Sequence, residues 1–281
     1  MRRLTGALLL ASAMALAQKQ PFSFDAMMRL SRIGDPQVSP DARTLAFTVQ
    51  TVDTAADIKP EQIYVMPLAG GAPLQITHDG ARNERPRWTP DSLHIVYTSD
   101  RSGRSEIWMM DPNGGNAKQI TNISTEAGGE LVSPDGKRIL FLSSVYPGCG
   151  APTAFDDTCN RTKLEAEKSS KVKARVYTEL LFRHWTQWQT ERRQHLLSAA
   201  IDGSGIVDLT PGERDVPPFS LGGPDDYAIS PDSSEVAYVM NADPVPAIST
   251  NSDIYAVPLA GGESKRITSN PAADSSPQYS P

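Results

Sequence analysis

The chain has 281 residues, enough for one large domain or two small ones, with a formal net charge of −6. A hydrophobic fraction of 39% and a mean hydropathy of −0.36 are those of a protein with a real core. The acidic balance argues against nucleic acid or an anionic membrane surface as a partner.

The first residues have the tripartite pattern of an export signal. Arg2 and Arg3 form a basic start, Ala7 to Leu16 an apolar core, and Ala15-Leu16-Ala17 a small-x-small cleavage site. The apolar run is well short of the roughly 20 residues that cross a bilayer. A signal peptide at 1–17 is therefore predicted, with a periplasmic or secreted mature chain starting at Gln18. Its removal takes two arginines from 27 basic residues and none of the 33 acids, leaving −8. Residues 18–36 read as a lead-in, with one short amphipathic helix within Phe22 to Ile33.

From residue 37 the chain is repetitive. Ser39-Pro40-Asp41, Thr89-Pro90-Asp91, Ser133-Pro134-Asp135 and Ser230-Pro231-Asp232 each precede a short apolar run, such as Leu45-Ala46-Phe47 or Ile95-Val96-Tyr97. Proline at the second position and Asp at the third suit a tight turn, and the β-branched and aromatic residues suit a buried strand. A second motif runs in step with the first. It reads IYVMPLAGGAPLQIT at 63–77, IWMMDPNGGNAKQIT at 107–121, a degenerate LLSAAIDGSGIVDLT at 196–210, and IYAVPLAGGESKRIT at 254–268. Each copy is a strand, a glycine-containing hairpin loop and a second short strand ending at Thr. The two motifs together predict an all-β fold, a β-propeller of four-stranded antiparallel blades at about 37–77, 87–121, 131–210 and 227–268. A fifth blade is expected to begin near 275, where Pro277-Gln278-Tyr279-Ser280-Pro281 repeats the inner-strand pattern, so the sequence reads as the N-terminal piece of a longer protein.

Blade three carries an insertion of about fifty residues, 145–195. It holds Cys149 and Cys159, whose short spacing in an exported chain favours a disulfide; no Cys-x-x-Cys pairing suggests zinc. It also holds KVKARVYTELLFRHWTQW at 171–188, in which Tyr177, Phe182, Trp185 and Trp188 stand among Arg175, Glu179, Arg183 and His184. Two readings stay open. Rings beside fixed charges suit the grip of a peptide, and aromatic residues equally suit packing of the insertion onto its blade. On the first reading Glu179, Arg183, His184 and Trp185 are the substrate-binding candidates. Asn122-Ile-Ser and Asn160-Arg-Thr match glycosylation acceptors.

No catalytic residue, metal set or cofactor motif is legible. There is no Gly-x-Ser-x-Gly, no phosphate loop and no dinucleotide fingerprint, and the four histidines are scattered. The repeats resemble the propellers of the prolyl oligopeptidase family and of TolB. The stretch around Arg183-His184-Trp185, with Asp208-Leu-Thr-Pro-Gly212 and Pro217-Pro218-Phe219, resembles exported dipeptidyl and acylaminoacyl peptidases of that family. The resemblance implies a propeller that gates short peptide substrates toward a C-terminal α/β-hydrolase domain, whose serine triad lies outside these residues. One departure is Thr186, where Asp follows Arg-His-Trp in that family, so no role needing a carboxylate there carries over. The alternative is a non-enzymatic, TolB-like protein-binding propeller, although such a scaffold has no need of the cysteine-bearing insertion.

Overall fold

The computed structural model describes residues 21–150, 154–178, 180–219, 222–223 and 226–280. The predicted signal peptide, 1–17, lies outside them. The helix expected in the lead-in is a short one, α1 (Phe24–Met28), capped by the Ser23 hydroxyl. The strand that follows starts at Arg32, five residues before the expected start of blade one.

Blade one comprises β1 (Arg32–Val38), β2 (Thr44–Gln50), β3 (Glu61–Pro67) and β4 (Leu74–Gln75), paired antiparallel in chain order. Blade two repeats this with β5 (Asn83–Trp88), β6 (Ile95–Ser99), β7 (Glu106–Met110) and β8 (Lys118–Gln119). Blade three starts with β9 (Gly128–Val132) and β10 (Arg138–Val145). The insertion follows, with helix α2 (Asp157–Ser169) and a small hairpin of β11 (Arg183–His184) and β12 (Gln187–Trp188). The blade then resumes with β13 (Arg193–Ala200) and β14 (Val207–Asp208). Blade four holds β15 (Tyr227–Ile229), β16 (Glu235–Met240), β17 (Asp253–Pro258) and β18 (Lys265–Arg266). The Ser/Thr-Pro-Asp turn joins the first two strands of each blade, so each blade opens one strand earlier than its turn.

The recurrence of the turn has a chemical basis. In blade one the Ser39 hydroxyl donates to Asp41 Oδ1 at 2.6 Å and accepts from the Thr44 N–H at 2.9 Å. Thr89, Ser133 and Ser230 make the same pair of bonds in their blades. The hydroxyl holds each Asp carboxyl below its usual pKa, most strongly Asp232, at about 2. Ala42, Ser92, Gly136 and Ser233, the residues after each Asp, all take positive φ. Two of them also join neighbouring blades. Ser92 Oγ accepts from the Asp41 N–H and Ser233 Oγ from the Asp135 N–H, both at 3.0 Å. Gly136 has no hydroxyl to offer Asp91, so the seam between blades two and three lacks this link.

The closing Thr of the second motif is equally specific. Thr77, Thr121, Thr210 and Thr268 each accept through Oγ1 from the backbone N–H fourteen residues earlier, on Ile63, Ile107, Leu196 and Ile254. Each latch satisfies an N–H that the two-residue outer strand is too short to pair. The hairpin glycine is needed for contact between blades. A Cβ on Gly203 would stand 1.9 Å from the carbonyl oxygen of Ile120, and one on Gly114 2.7 Å from that of Ile76.

The core lies between the blades. Ala46, Ile63 and Val65 of blade one pack on Ile95, Tyr97 and Met110 of blade two. Val96 and Ile107 pack on Ile139, Phe141 and Leu197 of blade three. Leu140, Leu196 and Leu209 pack on Tyr227, Val236 and Tyr238 of blade four. Blades two and three thus bury each face against a different neighbour, which is why their central strands are apolar on both sides. Residues 276–280 form no strand but lie against blade four. The Ser276 N–H donates to Asp226 Oδ1 at 3.1 Å and the Tyr279 hydroxyl to Glu235 Oε1 at 3.0 Å.

Candidate functional site

The insertion is tied down at both ends. Cys149 and Cys159 are disulfide-bonded, with Cα atoms 5.5 Å apart. Asp156 caps α2 by accepting from the Cys159 N–H, and Asp157 accepts from the backbone and hydroxyl of Ser124, in the loop between blades two and three, at 2.6 and 2.7 Å. Partial burial works against ionisation of Asp157, but these bonds and Arg161 outweigh it and hold its pKa below the ordinary value. Asn160, the one buried residue of the helix, donates to Asp156 O and accepts from the Tyr146 N–H. Its side chain is fully enclosed, so this glycosylation match is structural.

Beyond the helix the chain runs through residues 172–178 and into the β11–β12 hairpin, where Arg183 faces Trp188 and His184 faces Gln187. Tyr177, Phe182 and Trp188 stack on one another with ring centroids 5.2–6.1 Å apart, and the Tyr177 hydroxyl donates to the Gln189 carbonyl. The Arg183 guanidinium lies 5.3 Å from the Trp188 ring centroid. These aromatics therefore pack the hairpin. Trp185 does not: it sits at the tip at φ 50° with 82% of its surface exposed, touching His184 edge-on. His184 also meets the ring of Phe219, in the loop before blade four. Arg183, His184 and Trp185 thus share one hairpin, and Glu179 lies outside the described residues.

Beneath this hairpin are groups that sequence reasoning did not single out. Asp215 accepts from the Gln194 N–H at 2.8 Å and from Gln189 Nε2 at 2.9 Å, and burial raises its pKa. His195, buried on β13, places Nδ1 2.7 Å from Asp208 Oδ2 and Nε2 2.9 Å from the Gly212 carbonyl oxygen. In sequence the pair is marked by Asp208, which opens the Asp208-Leu-Thr-Pro-Gly212 stretch and makes the third copy of the second motif the one that carries Asp two residues before its Thr.

A second ionisable cluster joins the inner strands. Asp35 of β1 pairs with Arg87 of β5 at 2.7 Å. On β9, Glu130 takes the position that Pro36 and Pro86 hold in blades one and two. Its carboxyl is fully buried, accepts from the Thr98 hydroxyl at 2.5 Å, and is pushed up to about 7 by burial, with Arg85 and Arg87 opposing. Among the described residues, Glu130 Oε1 and Arg85 Nε have no hydrogen-bond partner. No cluster of His, Cys, Asp and Glu suited to a metal occurs among them, and no helix among them is long and apolar enough to cross a membrane.

Residues 27–147 match the family model of the TolB beta propeller domain. Over 90% of its length the chain is 29% identical to dipeptidyl-peptidase 5 of Porphyromonas gingivalis, covering 36% of that protein. These matches support reading the chain as the propeller part of a peptidase family. It spans little more than a third of the curated relatives' length. In fold, 86% of the chain superposes on 33% of the acylaminoacyl peptidase of Pyrococcus horikoshii, with a TM-score of 0.59 at 12% identity. TolB of Acinetobacter baumannii gives 0.52 at 18% identity, over 85% of this chain and 44% of that one. The match to the peptidase relative extends over 90% of the chain, whereas the TolB family model ends at residue 147.

Proposed function

We propose that this chain is the substrate-admitting propeller of an exported serine exopeptidase that releases dipeptides or N-blocked residues from short peptides. The observation that carries the reading is the match to a dipeptidyl-peptidase along 90% of the chain. The propeller limits entry to unfolded segments, and acyl transfer takes place at a serine on a C-terminal α/β-hydrolase domain. Within the propeller, the Arg183–Trp188 hairpin with exposed Trp185 forms a wall past which the peptide moves. Export fits the basic-apolar-small start of the sequence and the disulfide.

The test has two arms. The 281-residue chain is expected to leave chromogenic dipeptide anilides intact. The longer product of the same reading frame is expected to carry Gly-x-Ser-x-Gly and to hydrolyse them until a fluorophosphonate blocks its serine. A longer product with neither the motif nor the activity would overturn the reading. It would favour a protein-binding propeller, a second reading supported by the TolB family model.

A further inference from the structure

The insertion encloses a cleft of about 860 Å³ between α2, residues 172–178 and residues 189–193. Its titratable lining is unbalanced: Lys163, Lys173, Arg175 and Arg193 face Glu167 and Glu191. Glu167 is already engaged, accepting from the Tyr146 hydroxyl at 2.8 Å. Arg193 donates to the backbone carbonyls of Glu213, Thr190 and Arg192, with no carboxylate bonded to it. Arg175 has neither a hydrogen bond nor an ion pair among the described residues. Among the described residues the cleft therefore holds an excess of positive charge and suits an anion.

The second observation concerns the backbone. Residues 172–178, which form neither helix nor strand, line the cleft consecutively. From Lys173 to Thr178 no backbone N–H or C=O has a hydrogen-bond partner among the described residues. A free backbone edge is complementary to another extended backbone, as in recognition by strand addition. An inorganic anion would satisfy the cations and leave this edge unused.

We propose that the cleft binds the C-terminal end of a short peptide, pairing its backbone with residues 173–178 and its terminal carboxylate with Arg175, Lys173 and Arg193. Every peptide has one such carboxylate, so the site selects for length more than for side chains. The proposal deepens the reading of the chain as a peptide-admitting propeller, because it gives that reading a ruler for short substrates.

Titration calorimetry of the 281-residue chain with tetra-alanine tests it directly. The free acid is expected to bind, and its C-terminal amide at least tenfold more weakly. Methylation of the two central amide nitrogens should weaken binding comparably. Arg175→Gln, at an exposed position, should cost the free acid tenfold and leave the amide unchanged, and added salt should erode the difference between acid and amide. Equal affinity for acid and amide would overturn the site, as would absence of binding by a chain whose thermal transition shows it folded. Binding of inorganic phosphate that tetra-alanine does not displace would also overturn it. Serine-dependent hydrolysis by the longer protein, with the same KM for acid and amide peptides, would overturn this site while leaving the propeller reading intact. Binding of the acid with no hydrolysis by the longer protein would overturn the peptidase reading and leave this site standing.

Discussion

In the blades a few contacts recur at fixed intervals, whereas the insertion of blade three uses each of its anchors once. The Ser/Thr–Asp turn, the Thr latch and the inter-blade apolar layer appear in blade after blade, so the fold is held by repetition. The insertion depends on one disulfide, one helix cap, one buried Asn and one aromatic stack. Loss of a unique anchor has no copy to compensate it, and a segment with few anchors keeps open backbone and exposed rings for a ligand. The blades are built to resist opening and the insertion to remain accessible.

The contrast is broken most severely at a blade seam. Gly203→Val places a side chain against the Ile120 carbonyl oxygen at a φ of 88°, and should cost about 3 kcal/mol or more, read as a fall in thermal midpoint. Glu130 tests the seam between blades two and three through pH. Its folded pKa of about 7 lies above the ordinary glutamate value of 4.5, so the folded state holds a proton that the unfolded state has released across that window. Its contribution is fully present below about 4.5 and is lost as pH rises through 7, amounting to about 3 kcal/mol at most. Glu130→Gln should therefore flatten the decline in stability between pH 5 and 8 and be the more stable form at pH 8. An unchanged slope would place the carboxyl in contact with water.

In the insertion, Cys149→Ser with Cys159→Ser should cost about 2 kcal/mol. The loss should appear as proteolytic cleavage within 146–192, with the blade transition kept. The smallest effect is expected from Trp185→Ala, within about 0.5 kcal/mol in stability, since that ring packs on little besides His184. On the peptidase reading it should raise KM in the longer protein. A large loss of stability would return Trp185 to a packing role.

The blades were legible because period, turn chemistry and glycine placement all carry local physical demands that single residues reveal. Thr at the end of each second motif was visible as a pattern, while its role as a latch needed the distance to an N–H fourteen residues back. The start of blade four coincides with β15 at Tyr227, but the first three blades begin several residues before their expected starts, since β1 is polar and bulged, with a register shift between Gly34 and Gln37. The candidate site was legible only in part. Arg183, His184 and Trp185 stood out as aromatic and charged neighbours, and the structure keeps them on one hairpin while giving the other rings to packing. Asp215 and the open backbone at 173–178 left no signal, and nothing in the sequence placed Arg193 at a cleft. A cleft is made by the spacing of elements distant in sequence, and unpaired amides have no residue type of their own.

Val145 and Arg193 are facing partners at the end of the longest ladder in blade three. Everything between them leaves and returns through a single rung. Topologically the insertion is an enlarged hairpin loop, and its length imposes nothing on the register of β10 and β13. Replacing residues 146–192 by a tight turn should leave the four blades assembled. The same doorway would accept a foreign recognition loop, which makes blade three a natural socket for grafting new specificity onto an old frame.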